Sequence, residues 1–309
     1  EQDIENFGTT SRSISNGVSS IHQDSTSHNA QAPLSGEQVT VSKRWLTKPV
    51  SRSERRPMQC YIERERQGFA QPTIYRCYLE TPDQTGGQNK PYPPQQAQQP
   101  AKFMMSAKKR TSKKSNNYYL ISLDVNPNDD KGSESVLGKV RSNNVGSRYL
   151  ITDNGLAPDK TVAPSMIRKE FGVVSFEFDS GGPSRIDAWV PPVSASGQAG
   201  CWQPDNESSG IEAAVDALTA SGGGSSSGSS GLFYLQNKPP KWDEAHGGHV
   251  LNFQGRVTES SVKNFQLVCI NSDFCDAEDI ALQFGRVGKH RFTMDLKYPL
   301  SPMQAFSIC

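Results

Sequence analysis

Apolar and polar residues alternate with a period of two through much of this chain. Phe103, Met105 and Ala107 alternate with Met104, Ser106 and Lys108, and Val174, Phe176 and Phe178 alternate with Val173, Ser175 and Glu177. Phe265, Leu267 and Cys269 alternate with Asn264, Gln266 and Val268, and Phe292, Met294 and Leu296 with Thr293, Asp295 and Lys297. Successive side chains of a strand point to opposite faces, so each run predicts a strand with an apolar row against a core and a more polar row outside. Residues 60–63 and 73–79 are expected to form a first hairpin. Turn signals at Asn126-Pro127, Asp153-Asn-Gly155 and Ser180-Gly-Gly-Pro183 separate the runs. Many short strands with almost no helix predict a mainly β fold, either a closed barrel or a sandwich.

Three segments depart from that pattern. Residues 82–101, rich in Gln, Pro and Gly, read as a long surface loop. Residues 194–231 read as a second loop insertion ending in a Ser/Gly linker. Within it Ile211, Ala214, Val215 and Leu218 would share one helix face, which predicts a transient local helix rather than a docked one. At the end of the chain, Pro302 opens a helix through Met303, Ala305, Phe306 and Ile308, apolar on nearly every side.

Composition sharpens this picture at the amino terminus. Hydrophobic residues make up only 34% of the 309, so part of the chain is expected to stay out of any core. Residues 1–40 are rich in Ser, Thr, Asn and Gln and bury too little to offset their ordering entropy; they are expected to be disordered, and residues 1–45 are set apart as a polar and basic segment. The chain starts at Glu1 and stops at Cys309, and it reads as a piece of a longer open reading frame. No run approaches the ~18 apolar residues needed to span a bilayer, and no transmembrane segment is expected. Six cysteines without CxxC spacing predict reduced thiols, with Cys269 serving as core filler.

The net charge of +1 hides a polarised chain. Residues 41–66 carry eight Lys/Arg against three acids, and residues 102–114 carry six against none, so the remainder is acidic. Such polarity presents a local positive field to an anionic partner, a phospholipid headgroup or a nucleic acid. Lys108, Lys109 and Arg110 with Lys113 and Lys114 form the densest run. Aromatic residues are not interleaved in it, which weakens a single-stranded nucleic-acid reading. In Gly138-Lys-Val-Arg-Ser-Asn143, Lys139 and Arg141 stand two apart, so on a strand both cations face the same way.

Enzymatic constellations are poor. Gly224-Ser-Ser-Ser-Gly228 matches a nucleophile elbow only formally, since it lies in a Ser/Gly repeat. His246 and His249 lack ligand partners at metal spacing, and a hairpin turn accounts for them. Neither catalysis, a metal nor another cofactor is expected.

The order and spacing of several blocks carry a more specific signal. Leu235-Gln-Asn-Lys-Pro-Pro-Lys-Trp242, Gly255-Arg-Val-Thr-Glu-Ser-Ser-Val-Lys-Asn-Phe-Gln266, Gln283-Phe-Gly-Arg-Val-Gly288 and Phe292-Thr-Met-Asp295 together resemble the carboxy-terminal domain of the tubby-like proteins. Tyr119-Leu-Ile-Ser122 and Gly138–Asn143 are similar to earlier blocks of the same domain. Ser260 departs from the family's usual Ala. The resemblance implies that residues 46–309 form a closed twelve-stranded antiparallel β-barrel around a central hydrophobic carboxy-terminal helix, here incomplete. An unfilled barrel would lose core contacts.

The same resemblance implies a site for phosphatidylinositol 4,5-bisphosphate in the cytoplasmic leaflet. Lys139 and Arg141 would be its Lys-x-Arg pair, Arg168 a further contact, and Asn117 or Tyr118 a headgroup neighbour, with the run at Lys108 in support. The implied protein is a membrane-associated adaptor, reversibly tethered to the plasma membrane. Nuclear or ciliary locations, membrane-receptor cargo and transport complexes would follow by family analogy alone. Plant members carry an F-box, and none is visible here. The alternative is a DNA-binding transcription regulator using the same basic face.

Overall fold

The computed structural model describes residues 40–66, 72–80, 101–110, 118–127, 134–161, 163–179, 182–194, 196–220, 231–244, 248–270 and 279–309. The predicted alternation appears as β1 (Met58–Glu65), β2 (Ile74–Glu80), β3 (Ala101–Arg110), β4 (Tyr118–Ser122), β5 (Val136–Ser142), β6 (Arg148–Asp153) and β7 (Glu170–Asp179). It continues through β8 (Gly182–Val190), β9 (Phe233–Asn237), β12 (Phe265–Cys269), β13 (Ile280–Gly288) and β14 (Arg291–Leu296). These strands close a twelve-membered barrel in the order β1-β14-β13-β12-β9-β8-β7-β6-β5-β4-β3-β2, each pair antiparallel. β10 (Lys241–Asp243) and β11 (Gly248–Val250) form a separate hairpin that sets Trp242 opposite His249. Closure leaves no free sheet edge on the barrel.

The apolar row of each strand points inward onto α3 (Pro302–Ile308). Ser301 caps this helix: its Oγ accepts the Gln304 N–H at 3.3 Å, while Gln304 Oε1 accepts the Ser301 N–H at 2.8 Å. Gln304 Nε2 donates to the Phe171 carbonyl of β7 at 2.8 Å, so the one polar side chain projecting from the helix's first turn also finds a partner. Met303, Ala305, Phe306 and Ile308 are buried in the main core. Beside Phe306 and Ile308 a pocket of about 310 Å³ opens to solvent, its lining running from Tyr119, Phe284 and Phe292 to the exposed Phe178 and Val262. A short helix, α1 (Lys43–Thr47), is capped by Ser42 and buries Leu46; it packs against α3, so ordered packing begins before residue 46.

Helix and wall meet closely at Gly138 of β5. A Cβ there would fall 2.1 Å from the Thr152 carbonyl oxygen and 2.5 Å from Met303 Cε. Gly138→Ala is therefore expected to destabilise the fold by about 1–3 kcal/mol, read as a lowered midpoint of chemical denaturation with an unchanged slope.

Several expectations need correction. On β12–β14 the outer row is buried as well as the inner one: Gln266, Gln283, Thr293 and Asp295 are all buried. The stretch from Asn252 to Lys263 crosses outside these strands and covers them. Arg256 donates to Asp295 Oδ1 at 2.6 Å and to Glu80 Oε2 at 2.9 Å. Gln283 Nε2 donates to Asp295 Oδ2 at 3.0 Å, and Gln266 Nε2 to Gln283 Oε1 at 2.7 Å. Burial works against the Arg256 charge, but Asp295 and then Glu80 outweigh it and push its pKa above the ordinary value. On β3 both Met104 and Met105 are buried, because the pairing register with β2 slips at Cys77 and Tyr78. Phe178 leaves the inward row of β7 and is 59% exposed, beyond a register shift at Glu177.

The insertion at 194–231 is more than a loop. It contains α2 (Ile211–Ala220), which docks on the outside of the barrel. Ile211 and Val215 are fully buried against Leu150, Val173, Trp189 and Tyr234, and Trp189 stacks on Tyr234 at 5.2 Å between ring centres. Arg148 Nη1 ties Asp216 Oδ1 at 2.5 Å. Tertiary burial fixes a helix that its short length would leave marginal.

Among the described residues no helix is long and apolar enough to cross a membrane, and no three His, Cys, Asp or Glu gather as metal ligands. Cys60, Cys77, Cys201 and Cys309 carry free thiols, and Cys269 is buried in the main core. Residues 1–39, His246, the Ser/Gly linker and most of the loop at 82–101 lie outside the described residues.

Candidate anion-binding site

Strand register builds the site. Gly138 meets Met303 at the barrel axis, so its neighbours Lys139 and Arg141 project outward. Across β3, β4 and β5, Arg110 pairs with Tyr118 and Tyr118 with Arg141. One pleat away, Lys108 pairs with Leu120, Leu120 with Lys139, and Lys139 with Thr152 of β6. Two rows thus place Lys108, Arg110, Lys139 and Arg141 on one outer face. Three adjacent strands span about 10 Å.

Lys109 belongs to the other parity. It stands opposite Tyr119, which pairs with Val140, and these two side chains line the barrel interior. The basic run is therefore split by the pleat, and Lys109 does not join the outer rows. Asn117, Lys113 and Lys114 lie outside the described residues.

Arg168 arrives from a different element, the segment between β6 and β7. Its backbone is held by an Arg168 N–H to Leu156 carbonyl bond at 2.7 Å, and Gln203 Nε2 braces the segment through the Pro164 and Ile167 carbonyls at 2.8 and 2.7 Å. The Arg168 guanidinium is buried and paired. Nε donates to Glu170 Oε1 at 3.0 Å, and Nη2 reaches Glu207 Oε2 at 3.4 Å. Glu170, 1% exposed, also accepts the Ile211 N–H that opens α2 at 2.7 Å. Glu170 thus ties Arg168 and α2 together, a role for which the sequence offers no spacing signal, since Ile211 lies far along the chain.

Electrostatics tie these groups into one cluster. Partial burial and then the Arg168 charge lower the Arg141 pKa, opposed by Tyr118 and Glu207. Burial and then Arg110 lower that of Lys108. Burial lowers that of Arg110 too, against Tyr118. Lys139 is 8% exposed and belongs by register to the outer rows. Cations that depress one another's protonation are stabilised by an arriving anion. Arg supplies a planar fork suited to phosphate oxygens, and Lys a compact charge.

Comparison with known proteins agrees with this architecture. Over 197 residues the chain is 42% identical to Tubby-related protein 2 of Mus musculus, covering 62% of this chain and 33% of that protein. Over 260 residues it is 37% identical to Tubby-related protein 2 of Homo sapiens, covering 82% and 44%. Tubby-like F-box protein 6 of Arabidopsis thaliana is 32% identical over 282 residues, covering 82% and 64%. The chain therefore spans less than two thirds of the length of each of these relatives. With a closed barrel around α3 and residues 46–309 matching the Tub family, the chain belongs to that family.

Proposed function

We propose that this chain is a membrane-associated adaptor that docks on phosphatidylinositol 4,5-bisphosphate through Lys139 and Arg141. Lys108, Arg110 and Tyr118 flank the headgroup, and Arg168, paired with Glu170 and Glu207, acts through its charge on Arg141. The observation that carries this reading is the register that lines up cations of β3 and β5 on one outer face beside Arg168. A face about 10 Å wide suits a single phosphorylated headgroup better than the longer track of phosphates on a duplex. Family membership supports the same reading. Docking of this kind is reversible, because a few headgroup contacts and a basic patch fall far short of an inserted anchor, and removal of the headgroup phosphates would release the protein to other compartments. A receptor or transport complex carried at the membrane would be its cargo.

Co-sedimentation with vesicles containing or lacking phosphatidylinositol 4,5-bisphosphate tests the proposal. Replacing Lys139 and Arg141 together by Ala is expected to weaken binding about 30-fold, taking ~1 kcal/mol for each cation at an anionic surface. Equal binding by a folded double variant would remove the pair from the site. Tighter binding to duplex DNA than to the vesicles, with a steep salt dependence, would favour the transcription reading instead.

A further inference from the structure

The segment that delivers Arg168 also carries two apolar side chains into solvent. Leu156 is 41% exposed and Met166 is 53% exposed. They are neighbours, since the Leu156 N–H donates to the Met166 carbonyl at 2.8 Å. Single exposed apolar residues are ordinary on protein surfaces. A pair held together next to a cationic site is a more specific arrangement.

This pair is presented on a braced scaffold. Leu156 bridges Ile167, the Gln203 amide fastens both the Pro164 and Ile167 carbonyls, and Asp153 Oδ1 accepts the Gly155 N–H at 2.8 Å. A Cβ at Gly155 would lie 2.5 Å from Arg168 Cα, so the base of the segment is closed tightly on the residue bearing the guanidinium. Much of the ordering entropy of the loop is therefore spent before any partner arrives. Around it Lys169 and Arg141 are exposed cations, while Arg168 is paired with Glu170 and Glu207. Asp159 is engaged by Lys160 at 2.7 Å.

We propose that Leu156 and Met166 form a wedge that enters the apolar boundary of an anionic bilayer while the adjacent cations hold a phosphorylated headgroup. The inference rests on the lipid reading above and adds an orientation to it: the β6–β7 segment faces the membrane. Apolar area and positive charge next to one another match the layered chemistry of a leaflet, acyl chain beneath phosphate.

Three measurements on the chain test the wedge. Leu156→Ser/Met166→Ser is expected to weaken binding to vesicles containing phosphatidylinositol 4,5-bisphosphate about tenfold, the scale expected for part of the apolar area of two such side chains. Its affinity for soluble inositol 1,4,5-trisphosphate should stay unchanged. In Met166→Trp, indole emission should shift to the blue on vesicles and be quenched by brominated acyl chains. Equal vesicle affinity of the Ser variant, or an indole that brominated lipid does not quench, overturns the wedge and leaves headgroup binding standing. Loss of soluble headgroup binding in the Ser variant also overturns it, because the pair would then be shaping the cation site. A wild-type chain that binds neither vesicles nor inositol trisphosphate overturns the headgroup reading and the wedge together.

Discussion

Replacing Arg256 by Ala should destabilise the protein by about 3–5 kcal/mol, because it strands two buried carboxylates. Asp295 and Glu80 have side chains only 5% and 8% exposed, and both lean on the same guanidinium. Burial already pushes the Asp295 pKa up, with Arg256 holding it back, so removing the guanidinium leaves the carboxyl to protonate or to draw in water. The loss extends beyond the ion pair. The Arg256 guanidinium also reaches the Cys60 carbonyl at 3.4 Å, so one side chain joins β1, β2 and β14. Equilibrium denaturation of Arg256→Ala is the direct measurement. Arg256→Lys, which keeps the charge and loses the fork, should fall between it and the native protein. A loss below about 1 kcal/mol would show that the covering segment holds by its apolar contacts instead.

Glu170→Ala carries the second large effect, again about 3–5 kcal/mol, by leaving the buried Arg168 guanidinium without its nearest partner. The first N–H of α2 would lose its acceptor at the same time, which adds a local consequence. Hydrogen exchange at the α2 amides should quicken more than exchange in the barrel strands. Glu170→Gln keeps an acceptor for Ile211 and should restore protection of α2 while recovering only part of the stability. If Glu170→Ala leaves α2 as protected as in the native protein, the apolar contacts of Ile211 and Val215 suffice to dock the helix.

Both effects fall on residues whose role was hard to read beforehand, and the reason is physical. Phe292, Met294 and Leu296 disclosed β14 through period-two alternation, which needs only the strand itself. Asp295, in the outer row of the same strand, looked like a solvated residue; it is buried because a segment some forty residues earlier folds across it. Alternation reports which face a residue takes and is silent on what later covers that face. The helix face of Ile211, Val215 and Leu218 was legible for the same local reason, whereas its docking on Leu150 and Trp189 depends on a partner surface assembled from other strands. At the site, the spacing of Lys139 and Arg141 was enough to point both cations one way. That Arg110 and Lys108 join them while Lys109 does not is a matter of cross-strand register, which is set by the closed barrel.

The pairing of Met58 with Leu296 has a consequence for biosynthesis. β1 is the first barrel strand to leave the ribosome, yet one of its two partners is the barrel's last. Until β14 emerges, the growing sheet has two raw edges, each able to pair with another chain. α3 follows β14 in sequence, so the axis of the barrel is also without its filling throughout that interval. Contacts between distant parts of a chain form slowly, and translation prolongs the wait. Nascent chains of this protein should therefore depend on chaperones until β14 and α3 have been made, and a ribosome stalled before β14 would hold an open, adhesive sheet.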